Sequence, residues 1–399
     1  MDTPPRCEHC DPYLYDARHI VEKIDIVMAP LTKVVSALEA FLRRLFRIRD
    51  SFFLRVLLRI GVLREIEARD DDETLYNRSL VVVREARQRG IPIRALTLRG
   101  KGIDVYSLTE GGRKIFFRAL PHLVIDGLSP EIFDNKAALK KRLQARGLPH
   151  PKGVLCFQYR RALRYVVSDI GFPVVVKPVD LSLSLHVTTN IRDEAQLKCA
   201  VDIAKQISAR FLVEEHLDGD VYRITVLNGE VVAACRREPP NVVGDGVHTV
   251  RELIELMNSD PRRGSRRQRN YTLHKIVVSP RSKKVLATQG FELDSTPPSG
   301  RKVYLHDKLI LACGADIIDV TDDVHPANRE LFSEVAELCR VPLVGVDFIA
   351  PDISKPHTAQ KCGIIEINSV PYIDMHHYPT EGAPRDVASK LLDYCLDRM

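Results

Sequence analysis

The spacing of hydrophobic positions changes several times along the chain, and each change marks an element. Between residues 28 and 64, Leu, Val and Phe recur at intervals of three and four with arginines between them. That spacing predicts one or two amphipathic helices. From Asn77 onward the pattern alternates, with a helix over 79–89 and strands over 91–98 and 104–108. This reads as a small α/β unit, half of a Rossmann-like layer. It carries no Gly-x-Gly-x-x-Gly, so no nucleotide is assigned to it. A helix opens at Asp134-Asn135-Lys136 and runs to about Arg146, stopped by Gly147 with Pro149 beyond. Strands follow near Val154, over 174–178 and over 210–213, with helices over 161–170 and 194–207. Further strands fit 221–226 and 231–235, and helices fit 250–257 and 329–339. No internal repeat is visible.

Two strings near the C-terminus carry the strongest chemical signal. Gly345-Val346-Asp347-Phe348 and Ile364-Ile365-Glu366-Ile367-Asn368 each sit in a β-branched, apolar run and read as buried or half-buried strands. Alternate residues of a strand share a face, so Glu366 and Asn368 point the same way. The linker between them holds Pro351, Asp352, Ser354 and Pro356, turn residues that let the strands pair and bring Asp347 alongside. Two carboxylates and an amide oxygen on one face suit Mg²⁺ with phosphate. The alternative for these two strings is a strand pair whose polar residues face water. Upstream, Lys177 closes an apolar strand, and Pro178 ends ladder pairing there. An ammonium so placed calls for an anion, and a phosphate chain meets the need. Further on, Leu212-Val213-Glu214-Glu215-His216-Leu217 offers backbone edges to a purine and an acid to a ribose.

Composition narrows the class. At 399 residues, two or three domains or lobes are expected, and 45% hydrophobic content supports a real core. No apolar run reaches the ~18 residues of a spanning helix. Met1-Asp2-Thr3-Pro4-Pro5 lacks the pattern of a signal peptide. Nine scattered cysteines suggest reduced thiols and a cytoplasmic location. The net charge of +6 is matched by residues 31–64 alone, where eight basic residues face Glu39 and Asp50. The remainder is near neutral, so nucleic-acid binding is not predicted. The basic arm is read as packing on the body with its arginines in solvent; membrane contact by 31–64 is the less favoured alternative. Homo-oligomerisation is left open. Cys7-Glu8-His9-Cys10 has half-zinc-site spacing without a second pair, so it is read as an unstructured end.

An Asn-Lys helix start, a strand lysine, an acidic hinge, then Asp and Glu-x-Asn: that order resembles the ATP-grasp superfamily of ADP-forming ligases. Further strings narrow the resemblance: Tyr222-Arg223, Arg237-x-Pro239, Val243-Gly244-Asp245-Gly246-x-His248-Thr249, Asn258-x-Asp260-Pro261-Arg262-Arg263-Gly264, Asp319-Val320-Thr321-Asp322 and Met375-His376-x-x-Pro379. Together they are similar to the ATP-grasp module of cyanophycin synthetase and its glutathione-ligase-like relatives, over roughly residues 130–395. The resemblance implies an α/β ATP-grasp fold. Residues 1–70 would be the tail and basic arm, 71–129 a small Rossmann-like pre-ATP-grasp unit, 130–212 the N-terminal lobe and 213–399 the C-terminal lobe with the metal site. It makes Lys136 and Lys177 ligands of the ATP phosphates and has Glu214, Glu215, His216 and Leu217 hold adenine mainly by backbone, with Asp220 at the ribose. Asp347, Glu366 and Asn368 would bind two Mg²⁺, with Mn²⁺ able to substitute. Arg237 and Arg223 would stabilise an acyl phosphate. The implied reaction joins a small-molecule or peptide carboxylate to an amine, releasing ADP and phosphate. A small-molecule kinase and a catalytically weakened nucleotide-binding scaffold are the alternatives.

The chain departs from that pattern in three places. The stretch 181–187, a glycine-rich lid in the family, has no glycine here; Ser182 and Ser184 would donate hydroxyl hydrogen bonds and His186 would add charge. Ile310 stands where the relatives carry an asparagine, which implies a less polar acceptor, so cyanophycin's own substrates are not carried across. No peptide-ligase-like domain follows, which points to a single ATP-grasp step. Among the remaining strings, His376-His377 reads as substrate contact or core packing. The run Arg262-Arg263 with Arg266-Arg267 reads first as a solvated loop, second as an attractor of anionic substrate.

Overall fold

Glycine turns set the topology of the first unit. The computed structural model describes residues 50–69, 72, 75–122, 136–179 and 186–399. Helix α1 (Asp50–Arg59) leads into β1 (Leu63–Ile66), α2 (Asn77–Gln88), β2 (Ile93–Leu98), β3 (Lys101–Glu110) and β4 (Arg113–Arg118). The four strands form one sheet in the order β1-β2-β3-β4, and every pairing in it is antiparallel. Arg99-Gly100 and Gly111-Gly112, all at positive φ, close the β2–β3 and β3–β4 hairpins. Two-residue turns of that hand fit the twist of antiparallel strands. The Rossmann-like reading is therefore corrected, because that layer needs parallel strands joined by helical crossovers. The helical reading of 28–64 is corrected at its end, where Leu63 is buried and pairs with Leu98. Residues 28–49 and Cys7 and Cys10 lie outside the described residues. The part of the arm that is described does pack on the body. Leu54, Leu57 and Leu58 lie against Leu63, Leu96, Val105 and Phe116.

The second unit is a small lobe. It runs through α3 (Lys136–Ala145), β5 (Gly153–Cys156), α4 (Tyr159–Tyr165), β6 (Val174–Pro178), β7 (Thr188–Ile191), α5 (Glu194–Lys205) and β8 (Phe211–Glu215). Its antiparallel sheet has the order β5-β8-β6-β7. Val174, Val176, Phe211 and Val213 pack on Leu197, Ala200, Val201 and Ala204 of α5. Strand alternation then turns Val175, Lys177 and Glu214 to the opposite side, where they line a cleft.

The third unit is built on β9 (Asp220–Leu227), β10 (Glu230–Glu238), α6 (Val250–Asn258), α7 (Pro280–Thr288), β11 (Asp316–Asp319), α8 (Pro326–Cys339), β12 (Leu343–Ala350), β13 (Gly363–Asn368), α9 (Asp374–His377) and α10 (Val387–Leu396). Its main sheet has the order β11-β10-β9-β12-β13. One face packs on α8: Leu331, Phe332, Val335 and Ala336 meet Tyr222, Ile224, Val346, Phe348, Ile364 and Ile367. Phe332 and Phe348 meet edge to face at 5.2 Å. Burying each such side chain stabilises the fold by about 1.5–3 kcal/mol. Helix α10 returns to the first unit, seating Leu392 among Leu80, Val83 and Tyr106. Among the described residues no helix is long and apolar enough to cross a membrane.

Candidate active site

The free face of the main sheet gathers the charged residues. Asp347 on β12 stands opposite Arg223 on β9 and opposite Glu366 on β13. A register shift after Asp347 takes up Ile365, so Ile364 and Ile367 both face the core while Glu366 and Asn368 share the other face. Arg223 donates to both oxygens of Asp347, Nε to Oδ1 at 2.5 Å and Nη2 to Oδ2 at 3.1 Å. Arg237 on β10, on the same face, places Nη2 3.2 Å from Asp347 Oδ2. With 14% of its side chain exposed, Arg237 is a half-buried partner of the buried Asp347 rather than part of a surface pair. Burial opposes ionisation of Asp347, but Arg223 and then Arg237 outweigh it and hold the carboxyl below the ordinary aspartate range. Gly345 leaves the room this requires; a Cβ there would meet Pro371 Cβ at 2.8 Å and Arg223 Cδ at 3.3 Å.

Across the cleft, Glu214 is the hub of a second cluster. It is buried and sits 2.7 Å from Lys177 Nζ and 2.9 Å from Lys140 Nζ. Burial again works against the charge, and Lys177 followed by Lys140 brings the Glu214 carboxyl below its ordinary value. Lys140 is itself pushed down, first by burial. Two ammonium groups against one carboxylate leave this wall of the cleft positive.

The two walls are joined by residues 216–219, the link between β8 and β9. Gly219 sits at φ +132°, and a Cβ would land 2.4 Å from the Ala350 carbonyl carbon. Only glycine fits that approach. Glu215 pairs with Lys361 at 2.8 Å, and Asp220 pairs with Arg236 at 3.1 Å. The His216 amide donates to the Pro173 carbonyl at 3.1 Å.

A single cleft of about 1500 Å³ is lined by Lys177, Glu214, Glu215, His216, Leu217, Asp220, Arg223, Arg237, Asp347, Glu366 and Asn368. Four of the residues read from sequence are not among those that line it. Ser182 and Ser184 lie outside the described residues. His186 is buried, with Nδ1 2.8 Å from the Ile203 carbonyl, so it faces the small-lobe core and is not brought to the cleft wall. Lys136 opens α3, and nothing of its side chain is described. Sequence reasoning missed Lys140, whose signal was its position four residues after Lys136, one turn along the same helix face. It also missed Tyr76, Asn77, Thr272 and Asp374, which line the same cleft from three separate segments.

Several strings that carried the resemblance are structural. Asp245 accepts from the amides of Val247 and His248 at 2.9 and 2.8 Å, and Thr249 forms a capping box with Glu252 at the start of α6. Arg262 pairs with Asp260, while Arg263 is buried on Asp316 at 2.7 Å. The basic run is thus not one solvated loop. His376 is buried with Nε2 2.7 Å from Thr225 Oγ1 and is kept neutral by burial, its pKa brought down to about 3. Its place is core packing.

The oxygen donors fit a hard divalent cation. Asp347, Glu366 and Asn368 share one sheet face, and the Asn368 side-chain nitrogen and Arg223 Nη1 are buried with no hydrogen-bond partner in the structure. Both are N–H donors, so what they lack is an acceptor such as a phosphate oxygen, while the oxygens of Asp347, Glu366 and Asn368 are the atoms that would face a cation. Among the described residues no group of three or more His, Cys, Asp or Glu is placed to hold a metal ion, so the site would rest on two carboxylates and an amide.

Comparison with known proteins agrees with this geometry. The family "D-ala D-ala ligase C-terminus" matches residues 153–242. Cyanophycin synthetase of Synechocystis sp. is 36% identical over 315 residues, which is 78% of this chain and 35% of that protein. The glutathione biosynthesis bifunctional protein GshAB of Streptococcus agalactiae is 33% identical over 267 residues, 66% of this chain and 35% of that protein. The crystal structure of a bifunctional glutathione synthetase from Pasteurella multocida superposes with a TM-score of 0.65 at 27% identity, covering 82% of this chain and 45% of that one. The proteins it matches are ATP-grasp ligases, and the chain is similar to part of cyanophycin synthetase and of the bifunctional glutathione synthetases. It spans about 35% of the length of the curated relatives it matches.

Proposed function

We propose that this protein is an ATP-dependent carboxylate–amine ligase, forming an amide or peptide bond with release of ADP and phosphate. One observation carries the reading: a single cleft is lined on one side by Lys177 and Glu214, with Lys140 paired to Glu214, and on the other by Arg223, Arg237, Asp347, Glu366 and Asn368. A carboxylate is a poor electrophile until it is phosphorylated, and phosphoryl transfer needs positioning and positive charge on the oxygens in transit.

Each residue then has a task. Lys177 and Lys140, pre-oriented by Glu214, hold the phosphate chain of ATP. The 214–217 hinge receives the adenine edge, and Asp220 receives the ribose. Asp347, Glu366 and Asn368 would hold Mg²⁺, two ions in the fullest form, with Mn²⁺ able to replace it. When bound, the metal neutralises phosphate charge. Arg237 and Arg223 stabilise charge on the acyl phosphate, and losing one such contact costs on the order of 100- to 1000-fold in rate.

The test is ADP and free phosphate release with MgATP over pooled amino acids and short peptides, with Lys177→Ala beside wild type. Equal release of both products that depends on the pool and is lost in the variant supports the ligase. ADP without phosphate assigns the chain to small-molecule phosphorylation instead. MgATP bound without turnover in any pool argues for a nucleotide-binding scaffold.

A further inference from the structure

Three carboxylates in the cleft are left without work by the reading above: Glu238 and Asp307 are paired with Lys302 and Arg281, and the third is Asp374. It begins α9, is 3% exposed, and lines the cleft together with Tyr76, Asn77, Tyr271, Thr272 and Tyr372. Its surroundings form a directed chain of hydrogen bonds that starts in the first unit. Arg84 Nη1 donates to Asn77 Oδ1 at 3.1 Å, and Asn77 Nδ2 donates to Thr272 Oγ1 at 2.6 Å. Thr272 Oγ1 in turn donates to Asp374 Oδ2 at 2.5 Å. Every donor points towards Asp374, so that oxygen is an acceptor. The other oxygen, Oδ1, is buried with no hydrogen-bond partner among the described residues. Arg78 is held by Asp104 at 2.6 Å, and among the described residues no ion pair satisfies Asp374 in the way the two arginines satisfy Asp347. A buried carboxylate oxygen left open in a ligand cleft is an acceptor awaiting a donor.

Resting on the ligase reading, we propose that Asp374 receives the amine nucleophile, pairing with its ammonium group and taking the proton it must lose before attack. The substrate ammonium passes one proton to Asp374 Oδ1. The freed nitrogen lone pair forms the C–N bond to the acyl carbon, while the C–O bond to phosphate breaks and its electron pair leaves on phosphate. The remaining surplus proton on nitrogen leaves with the phosphate. Burial raises the Asp374 pKa to about 6, against the Thr272 hydrogen bond, the residue's own backbone amide and the nearby charges of Arg78 and Arg84. That brings the group nearer to neutral pH, where a general base works best. The acceptor is thereby assigned to the class of cationic primary amines. The first unit, through Asn77, positions the group that receives it.

Hydroxylamine separates this role from the rest of the reaction, because it is uncharged at neutral pH and captures an acyl phosphate without needing a base. Wild type and Asp374→Asn, which keeps an oxygen for Thr272, are given MgATP and pooled free and N-acetylated amino acids and short peptides. Hydroxamate formation is read with hydroxylamine, and amide formation with amino-acid amides in its place. The expected result is hydroxamate within about twofold of wild type and amide formation down ~100-fold or more. Equal loss of both products, or amide formation unchanged, overturns the assignment. Absence of hydroxamate and amide alike in wild type would instead remove the ligase reading and this inference with it. An unshifted thermal midpoint in Asp374→Asn shows that the variant is folded.

Discussion

At the residue scale, the site is held together by two buried carboxylates that each gather two cations. Removing one such anion leaves its cations unpaired in a dry place, which costs about 3–5 kcal/mol. Asp347→Ala should destabilise the protein by roughly that amount near neutral pH. The pH dependence has a definite sign. The folded pKa of Asp347 lies below its ordinary 3.8, so its contribution is fully present above 3.8 and fades as pH falls through the folded value. The stability gap between wild type and Asp347→Ala, read from urea unfolding, should therefore narrow on going from about pH 7 to about pH 3. An unchanged gap would show that the carboxylate carries no net stabilisation. Lys140 gives a second prediction. If it binds phosphate beside Lys177, Lys140→Met should weaken binding of MgADP by roughly 10- to 100-fold, the worth of one charge-assisted hydrogen bond. Titration calorimetry reads this directly, and unaltered affinity would return Lys140 to a purely structural partnership with Glu214.

At the element scale, legibility followed the physics of each segment. Strand alternation placed Glu366 and Asn368 together and set Lys177 on the face away from Val174 and Val176. Apolar spacing marked α5, α6 and α8 because each buries one stripe. The sheet of the first unit was misread as Rossmann-like because direction is fixed by turns, and Arg99-Gly100 and Gly111-Gly112 were the signal for it. β4 went unread because it buries both faces, Phe116 on one side and Phe117 on the other, so Arg113–Arg118 shows no alternation. His186 was misplaced by chemistry: a titratable side chain suggested charge near phosphate, yet tertiary burial against α5 took it into the small-lobe core. The link between the lobes offers a prediction of its own. Gly219→Ala sets a Cβ against the Ala350–Pro351 backbone in a strained conformation, and should cost ~1–3 kcal/mol. Differential scanning calorimetry would show a lowered midpoint; an unaltered one would mean the link relaxes freely.

At the scale of the whole molecule, the cleft is a joint product of all three units. The small lobe brings Lys177 and Glu214, the large sheet brings Asp347 and its arginines, and the first unit brings Tyr76 and Asn77. The first two contributions were legible because strands hold their side chains in register over short sequence distances. The third was not: Asn77, Thr272 and Asp374 are distant in sequence, and only tertiary packing of α2 and α10 brings their segments to one place. The central claim is that this cleft activates a carboxylate through an acyl phosphate. The most direct measurement uses pooled carboxylate substrates labelled with heavy oxygen in the carboxyl group, MgATP and amine acceptors, with mass analysis of the phosphate released. Ligation through an acyl phosphate must transfer a labelled oxygen to phosphate, and this is the predicted result. ADP and phosphate formed without label in the phosphate would contradict the account.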